Sequence, residues 1–174
     1  MNSEPASAAT RLCAACGMCC DGVLFHAVVL QAGDSPRALA ALGLKIKRRR
    51  DAQFFHQPCR AHRDGSCTIY AQRPQRCRLF ACRQLLGVAA GETTEAVALE
   101  KIREARARVA RVNALLDRVA ETNPRRALAQ RYANAMTGPV EGDAIPARAE
   151  LVVAMRELEA LLARDFRTEA AETP

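Results

Sequence analysis

The clearest pattern of hydrophobic and polar positions begins at Thr94. From there, apolar residues recur at alternating steps of four and three, at Ala98, Ile102, Ala105, Val109, Val112, Leu116 and Val119. This spacing places one apolar stripe along a helix of about seven turns, with Glu and Arg on the opposite face. Asn123 followed by Pro124 predicts the end of that helix.

Two further helices are predicted after the first. One fits Pro124 to Met136, with Leu128 and Tyr132 facing inward and a stop at Gly138. The other is marked by a third apolar series, Leu151, Met155, Leu158, Leu162 and Phe166. Because each stripe needs a partner, the three together predict a helical hairpin or bundle. The alternative is that the first helix forms a dimerisation coil, so that the C-terminal helices bind a protein partner.

The pattern in the first half of the chain is weaker. It predicts a strand over Val23–Leu30, a short helix from Ser35-Pro36 to Gly43, strands at Phe54-Phe55 and Cys67–Tyr70, and one helix over Pro74–Leu86. Regular structure is sparse here, so we expect bonds to a metal, rather than a large apolar core, to stabilise this part. The predicted fold class is therefore α-rich: a small irregular, metal-stabilised cysteine unit of short strands and helices, followed by a C-terminal helical hairpin or bundle.

Charge divides the chain in the same place as the pattern. The 174 residues carry 26 Lys and Arg against 19 Asp and Glu, a net charge of +7. Residues 1–90 hold 13 against 5, which gives +8, and residues 91–174 hold 13 against 14, which gives −1. We predict a flexible tail over 1–10, a cysteine-cluster metal-binding domain over 11–90, a helical region over 91–168 and a tail over 169–174.

Two classes of protein are disfavoured by the sequence. No apolar run approaches the roughly 18 residues that a membrane span needs. The N-terminal stretch MNSEPASAATRL lacks the apolar segment of a secretory signal. We therefore expect a cytoplasmic protein without a membrane partner. In that reducing compartment, clustered cysteines indicate metal ligation rather than disulfides.

The candidate metal ligands are the eight cysteines, all in the first half: Cys13, Cys16, Cys19, Cys20, Cys59, Cys67, Cys77 and Cys82. Thiolates are soft donors that suit zinc or an iron–sulfur cluster, and a Cys-x2-Cys turn lets both sulfurs face one ion. Nearby cations would stabilise the ligating thiolates; those beside the cysteines are Arg60, Arg73, Arg76, Arg78 and Arg83.

The spacing leaves the grouping of the cysteines open. Neighbouring side chains leave the backbone in different directions, so Cys19 and Cys20 either reach two centres, bridge two metals, or include one structural residue. Cys77 and Cys82 would lie about 140° apart if one helix carried both. Cys82 is therefore the ligand that the spacing supports least.

The cysteine motifs resemble those of a known family. Residues 13–20, CAACGMCC, are similar to the opening motif of the CxxCxxCC-type cysteine-cluster family, also called YkgJ-like. Its closing motif is similar to Cys59, Cys67, Tyr70, Arg73-Pro74 and Cys77-Arg78-Leu79-Phe80. The resemblance covers residues 13–82 and implies a bacterial protein with a zinc- or iron-chelating domain of no settled activity. The bacterial ferredoxin pattern is not met, because Val23 stands where its fourth cysteine would be.

Three histidines and a basic run are further candidates. His26, His56 and His62 could each replace a cysteine as a ligand, although eight thiols suffice for two sites. Residues 45–50, KIKRRR, fit a solvated loop, a positive rim of the metal site or a contact to nucleic-acid phosphates. The sequence contains no phosphate loop, nucleophile elbow or zinc-protease motif.

The sequence thus favours a metal-binding protein with zinc or iron as its cofactor and the metal ion as its partner. We expect a non-catalytic structural, storage or delivery role. The first alternative is an iron–sulfur redox or sensor protein. The second is an accessory subunit, an enzyme or a nucleic-acid-binding adaptor.

Overall fold

Helices make up most of the regular structure, so the α-rich prediction is confirmed. A computed structural model describes residues 7–139, 142 and 144–168. The helices among these residues are α1 (Ala8–Cys16), α2 (Pro36–Ala41), α3 (Gln75–Leu79), α4 (Arg83–Ala89), α5 (Glu95–Arg118), α6 (Leu128–Thr137) and α7 (Ala144–Asp165). The strands are β1 (Ala27–Val29), β2 (Lys47–Arg49), β3 (Ala52–His56), β4 (His62–Arg63) and β5 (Ser66–Cys67). None of the described helices combines the length and the apolarity that a membrane span requires.

The predicted apolar stripe is buried along α5. Its residues pack against α7 in a helical core that includes Ala98, Ile102, Ala105, Val109, Val112, Leu116, Leu151, Leu158 and Leu162. Thr94 caps the start of α5, because its side-chain oxygen accepts a hydrogen bond from the Val97 amide at 3.3 Å. The helix ends at Arg118, before the predicted Asn123: Ala120 has a φ of 60° and the Glu121 amide donates to the Leu116 carbonyl at 2.9 Å.

The other two C-terminal helices are present with shifted ends. α6 begins at Leu128 rather than Pro124, because Arg125 and Arg126 donate their amides back to Asn123 in a turn. α7 begins at Ala144, before the apolar series that predicted it, and the fully buried Phe166 follows its last residue. Of the predicted helical hairpin or bundle, the structure contains α5 packed against α7, with α6 in contact with both.

The strands of the first half are shorter than predicted. β1 holds only three residues of the predicted Val23–Leu30, because Leu24 donates its amide to the Met18 carbonyl in a turn and packs into the helical core. β3 contains the predicted Phe54-Phe55 and lies between β1 and β2 in an antiparallel sheet, with Val28 opposite Phe55. The strand predicted over Cys67–Tyr70 is wrong beyond Cys67, because Tyr70–Gln72 forms a 3₁₀ turn.

A second apolar cluster, the sheet core, lies beside this sheet. It comprises the buried residues Val28, Leu39, Leu44, Phe55, Ala61 and Ile69. Leu39 comes from α2, which Ser35 caps and which ends before Gly43 as predicted. We expected no large apolar core in this half, and the structure contains a small one.

Helix α1 was not predicted. It begins at Ala8, inside the stretch predicted as a tail, and the Ser7 side chain caps it. Leu12 is 1% exposed in the helical core, and the Arg11 guanidinium donates to both carboxylate oxygens of Glu95 at 2.7 and 2.6 Å. The helical core therefore draws on both halves of the chain, and the predicted division at residue 90 stays a prediction. The remainder of the two predicted tails, residues 1–6 and 169–174, lies outside the described residues.

Truncating a central side chain of the helical core should destabilise the protein. Leu158 is 0% exposed, so Leu158→Ala should lower the free energy of unfolding by about 2–5 kcal/mol. Val153 lies on the same helix and is 51% exposed, so Val153→Ala should change it by only about 0.5 kcal/mol. Urea denaturation followed by circular dichroism measures both values. Equal losses would contradict the burial pattern of α7.

Candidate metal centre

All eight cysteines line one cavity of about 750 Å³, and all eight are free thiols. The cavity is bounded by α1, the sheet and the segment from residue 62 to the start of α4. By the effect that each thiol has on the pKa of the others, the cysteines fall into two groups. The first thiol group comprises Cys13, Cys16, Cys19 and Cys82, and the second comprises Cys20, Cys59, Cys67 and Cys77.

The first thiol group is built around the end of α1. Cys13 and Cys16 lie three residues apart on the last turn of this helix, so they share a face; the predicted tight knuckle is instead helical. Gly17 ends the helix with a φ of 63°, and its amide donates to the Cys13 carbonyl at 3.0 Å. A Cβ atom on Gly17 would lie 3.1 Å from the His62 ring, so glycine also permits a close approach there.

The single helix predicted over Pro74–Leu86 is wrong. The chain instead forms α3 and α4, and Phe80 between them is extended with a φ of −70° and a ψ of 124°. Cys77 lies on α3, whereas Cys82 is the N-terminal cap residue of α4. The 140° separation on one helix therefore does not apply, and the two cysteines lie in different thiol groups.

The second thiol group gathers residues from four parts of the chain. The Cys59 amide donates to the Cys20 carbonyl at 2.7 Å, which joins the turn after α1 to the segment after β3. Cys67 ends β5 and pairs with His62 across the β4–β5 hairpin. α3 carries Cys77, and the Asp34 carboxylate anchors the start of this helix by accepting from the Gln75 amide at 2.7 Å.

The two thiol groups also pack against different apolar clusters. Cys82 belongs to the helical core, and Cys16 and Cys19 pack against it. Cys59, Cys67 and Cys77 pack against the sheet core. Each group is therefore supported by its own part of the fold.

Burial raises the pKa of three thiols in the first group, Cys13, Cys16 and Cys19. It raises the pKa of Cys16 to about 12 and that of Cys19 well above its usual value, with smaller increases from the neighbouring thiols of the same group. The pKa of Cys13 is also raised, by burial first and by Cys82 second. In every pair of thiols within the group, one thiol raises the pKa of the other.

The second group has the same electrostatic character. Burial raises the pKa values of Cys20 and Cys77 to about 12 and also raises that of Cys59, and the other thiols of this group add to the effect. The chain neighbours Cys19 and Cys20 provide an interaction between the two groups. A bound metal would displace protons from the thiols whose pKa is raised, because metal ligands must be deprotonated.

Some surrounding groups favour the thiolate form. The backbone of Met18 acts to lower the pKa of Cys16, and the backbone of Ala61 and His62 acts to lower that of Cys59, which partly offsets the rise in pKa that burial causes. The Arg106 guanidinium acts on the pKa of Cys16 in the same direction.

Arg73 lies near both thiol groups. Its positive charge partly offsets the rise in pKa that burial causes at Cys13 in the first group and at Cys77 in the second. The guanidinium carbon lies 3.6 Å from the centre of the Tyr70 ring, and the buried Nε atom has no hydrogen-bond partner among the described residues. This position fits the predicted role of Arg73 as a cation beside the thiols.

The comparison with protein families gives one match. The model of a family described as "CxxCxxCC: Putative zinc- or iron-chelating domain" matches residues 12–106, more than half of the chain and every cysteine in it. The chain belongs to the CxxCxxCC family. The resemblance noted from the motifs is thereby confirmed. Neither the curated proteins nor the solved structures provide a match.

The family motif itself is divided between the two thiol groups. Its first three cysteines, Cys13, Cys16 and Cys19, belong to the first group, and its last, Cys20, belongs to the second. Cys19 and Cys20 could reach two centres, bridge two metals or include one structural residue. Their membership of different thiol groups agrees with the first of these alternatives.

The thiols lie near one another, but they do not converge on a common point. Among residues 7–139, 142 and 144–168, no three Cys, His, Asp or Glu side chains converge as the ligands of one metal ion do. The CxxCxxCC domain therefore presents its thiols around the wall of a large cavity.

The three histidines have different positions relative to this cavity. His26 and His62 line it, and the buried Nε2 atom of His62 has no hydrogen-bond partner in the described part of the chain. His56 is exposed and packs edge-on against Phe54 with ring centres 5.2 Å apart. His62 is thus the histidine best placed to contact a group bound between the thiols.

The basic run does not line the cavity. Lys47–Arg49 forms β2, an exposed edge strand, and Arg50 adopts a φ of 52° in the turn that follows. The loop interpretation is therefore wrong, because these residues pair with β3.

Two residues near the thiols were not predicted from the sequence. Arg106 lies beside the apolar stripe of α5, in the half without cysteines, and acts on the pKa of Cys16. Gln57 lines the cavity and is 2% exposed, with its Oε1 atom unpartnered in the described structure. Neither belongs to a recognisable motif. The sequence signal that could have identified Gln57 is its position directly before Pro58 and Cys59.

The buried thiols should react slowly with an alkylating reagent. At about pH 8, a pKa of about 12 instead of 9.0 lowers the thiolate fraction of Cys16, Cys20 and Cys77 about a thousandfold. The greater nucleophilicity of a high-pKa thiolate recovers part of this loss, so we expect alkylation about 10–100 times slower than in the unfolded chain. Iodoacetamide labelling of reduced, metal-free protein, followed by peptide mass spectrometry, measures these rates.

The pH dependence supplies the control for that measurement. Because folding raises these pKa values, the rates in the folded protein should keep rising above pH 9, where those of the urea-unfolded chain level off. Equal rates with and without urea, while circular dichroism still reports a folded protein, would contradict the burial of the thiols.

Proposed function

We propose that this CxxCxxCC protein holds two centres of zinc or iron, each on four thiolates, in a non-catalytic structural, storage or delivery role. The observation that carries the proposal is the division of eight cavity-lining thiols into two groups of four. The family description, which names zinc and iron as the chelated metals, supports the same chemistry.

The donor set of each group fits such a metal. Four thiolates complete the tetrahedral coordination of zinc and are also the ligand set of common iron–sulfur clusters. The first centre would use Cys13, Cys16, Cys19 and Cys82, and the second would use Cys20, Cys59, Cys67 and Cys77. When bound, a structural metal supplies binding free energy that acts as folding free energy.

The surrounding charges support an anionic centre. One zinc on four thiolates carries a charge of −2, and so does a typical cubane cluster on four thiolates. Arg73 lies near both groups and Arg106 lies near the first. The backbone groups that act to lower the pKa values of Cys16 and Cys59 would also favour bound thiolates.

An iron–sulfur redox or sensor protein is the second candidate, and the size of the cavity favours it. Four thiolates on one zinc all lie about 2.3 Å from it, which requires close convergence. The described side chains do not converge in that way, and the cavity measures about 750 Å³. A cluster of iron and sulfide is larger than a single ion, so it would bridge thiols that are further apart.

Metal analysis of cysteine variants tests the two-centre proposal. The full chain, purified without oxygen, should contain zinc or iron; acid-labile sulfide and visible absorption would indicate clusters, because zinc thiolates do not absorb visible light. Cys16→Ser and Cys77→Ser should each lose about half of the bound metal, and the double variant nearly all of it.

His56→Ala is the matched control, because His56 is a metal-ligating residue type that lies outside the cavity. It should retain the full metal content. If Cys16→Ser removes all metal while circular dichroism remains unchanged, the two groups do not hold separate centres. Full metal content in the double variant would refute thiolate ligation.

Removing the metal should affect the two parts of the chain differently. We expect chelation under reducing conditions to unfold residues 11–87, because the sheet core has only six buried residues and few residues of this segment reach the helical core. The α5–α7 pair buries its own apolar stripe, so it should keep much of its helical circular dichroism. Hydrogen exchange, followed by mass spectrometry, measures residues 11–87 and 95–118 separately. Unchanged exchange over 11–87 after complete metal removal would contradict metal stabilisation.

A further inference from the structure

A second cavity, of about 450 Å³, lies between the turn after Cys20, α5 and the start of α6. Its polar lining consists of Asp21, Arg106, Asn113, Arg126 and Arg131. Three guanidinium groups and one carboxylate give this lining a net charge of +2. Such a concentration of arginine around a concave space is typical of sites that bind oxyanions.

Arg131 is the most deeply placed of these cations, with a side chain that is 12% exposed. Its Nη1 atom donates to the Asn113 Oδ1 atom at 2.6 Å and its Nη2 atom donates to the Glu121 carbonyl at 2.9 Å. The Nη2 atom also lies 3.6 Å from the Asp117 carboxylate, which does not line the cavity. These contacts hold the guanidinium in one orientation.

The Nε atom of Arg131 is buried and has no hydrogen-bond partner among the described residues. A buried donor without an acceptor is costly, by about 1–3 kcal/mol in proteins generally, so a small shift of the Arg131 side chain that brings Nε within reach of a ligand oxygen in the adjoining cavity would be favourable. Because the Asn113 oxygen already accepts from Arg131, the amide nitrogen of Asn113 remains as a second donor at the cavity.

The other two arginines differ in their pairing. Arg106 donates to the Asp21 carboxylate, which neutralises one positive charge. Arg126 is exposed and forms no ion pair in the described part of the chain. Arg131 is paired with Asp117, so the charge that a ligand would meet comes mainly from Arg126, and Arg131 contributes hydrogen-bond donors.

We propose that this cavity binds a small oxyanion, through a phosphate or carboxylate group that accepts hydrogen bonds from Arg131, Asn113 and Arg126. Arg126 and Arg131 lie beyond residues 12–106, so the site joins the family domain to the helices that follow it. Asp21 follows Cys20 and Pro58 precedes Cys59, so the bound anion lies next to the second thiol group.

Titration of the full chain, as purified with its metal, tests this site. The probes are inorganic phosphate and malonate at constant ionic strength, followed by isothermal titration calorimetry. Saturable binding of either probe at one site supports the proposal, and the stronger of the two identifies phosphate or carboxylate as the preferred group. No saturation up to about 10 mM of both probes would overturn it.

Two exposed neighbours provide a matched pair of variants. Arg126→Gln removes a cation that lines the cavity, and Arg125→Gln makes the same charge change at a residue that does not. Arg126→Gln should weaken binding about tenfold, whereas Arg125→Gln should leave it within about twofold. Equal weakening by both variants would overturn the proposal, because it would indicate only the general positive charge of the surface.

A direct readout avoids substituting Arg131, which also holds Asn113 and the Glu121 carbonyl in place. In a nitrogen-15 NMR spectrum, the Nε–H signal of Arg131 should shift on addition of the bound probe, to the same midpoint that calorimetry gives. A shift confined to exposed arginines, with the Arg131 signal unchanged, would overturn the proposal.

Discussion

The short turn that follows α1 positions the whole cysteine cavity. Gly17 ends the helix in a left-handed conformation and lies against the His62 ring, and the Cys20 carbonyl accepts a hydrogen bond from the Cys59 amide. At the far end of the turn, a Cβ atom on Gly22 would lie 2.9 Å from the Cα atom of Ala127. A few residues thereby hold α1, the segment after β3 and the start of α6 in one arrangement.

The long helices were predictable because their signal is local. The apolar stripe of α5 repeats over many turns, and the Thr94 cap and the burial pattern both follow from it. The break between α3 and α4 was not predictable in this way. Phe80, Ala81 and Cys82 contain no glycine or proline, and the chain leaves the helix there so that Phe80 packs edge-on against Phe25 at 4.9 Å. Such a contact between distant residues overrides local preference.

The identity of the candidate ligands was predictable, but their grouping was not. In sequence order, four cysteines precede residue 21 and four follow residue 58. The structure exchanges one member between them: Cys20 joins the later cysteines and Cys82 joins the earlier ones. Only the tertiary fold, which places α4 against the helical core, determines this exchange.

The exchange gives the chain a nested topology. The segment from Cys20 to Cys77 lies entirely within the segment from Cys19 to Cys82, which spans 63 residues. Once an inner centre ties Cys20 to Cys77, the path from Cys19 to Cys82 shortens to about six residues, which lowers the entropic cost of closing the outer loop by about 2 kcal/mol. Filling the inner centre therefore prepares the outer one, so the two centres would assemble from the inside outward.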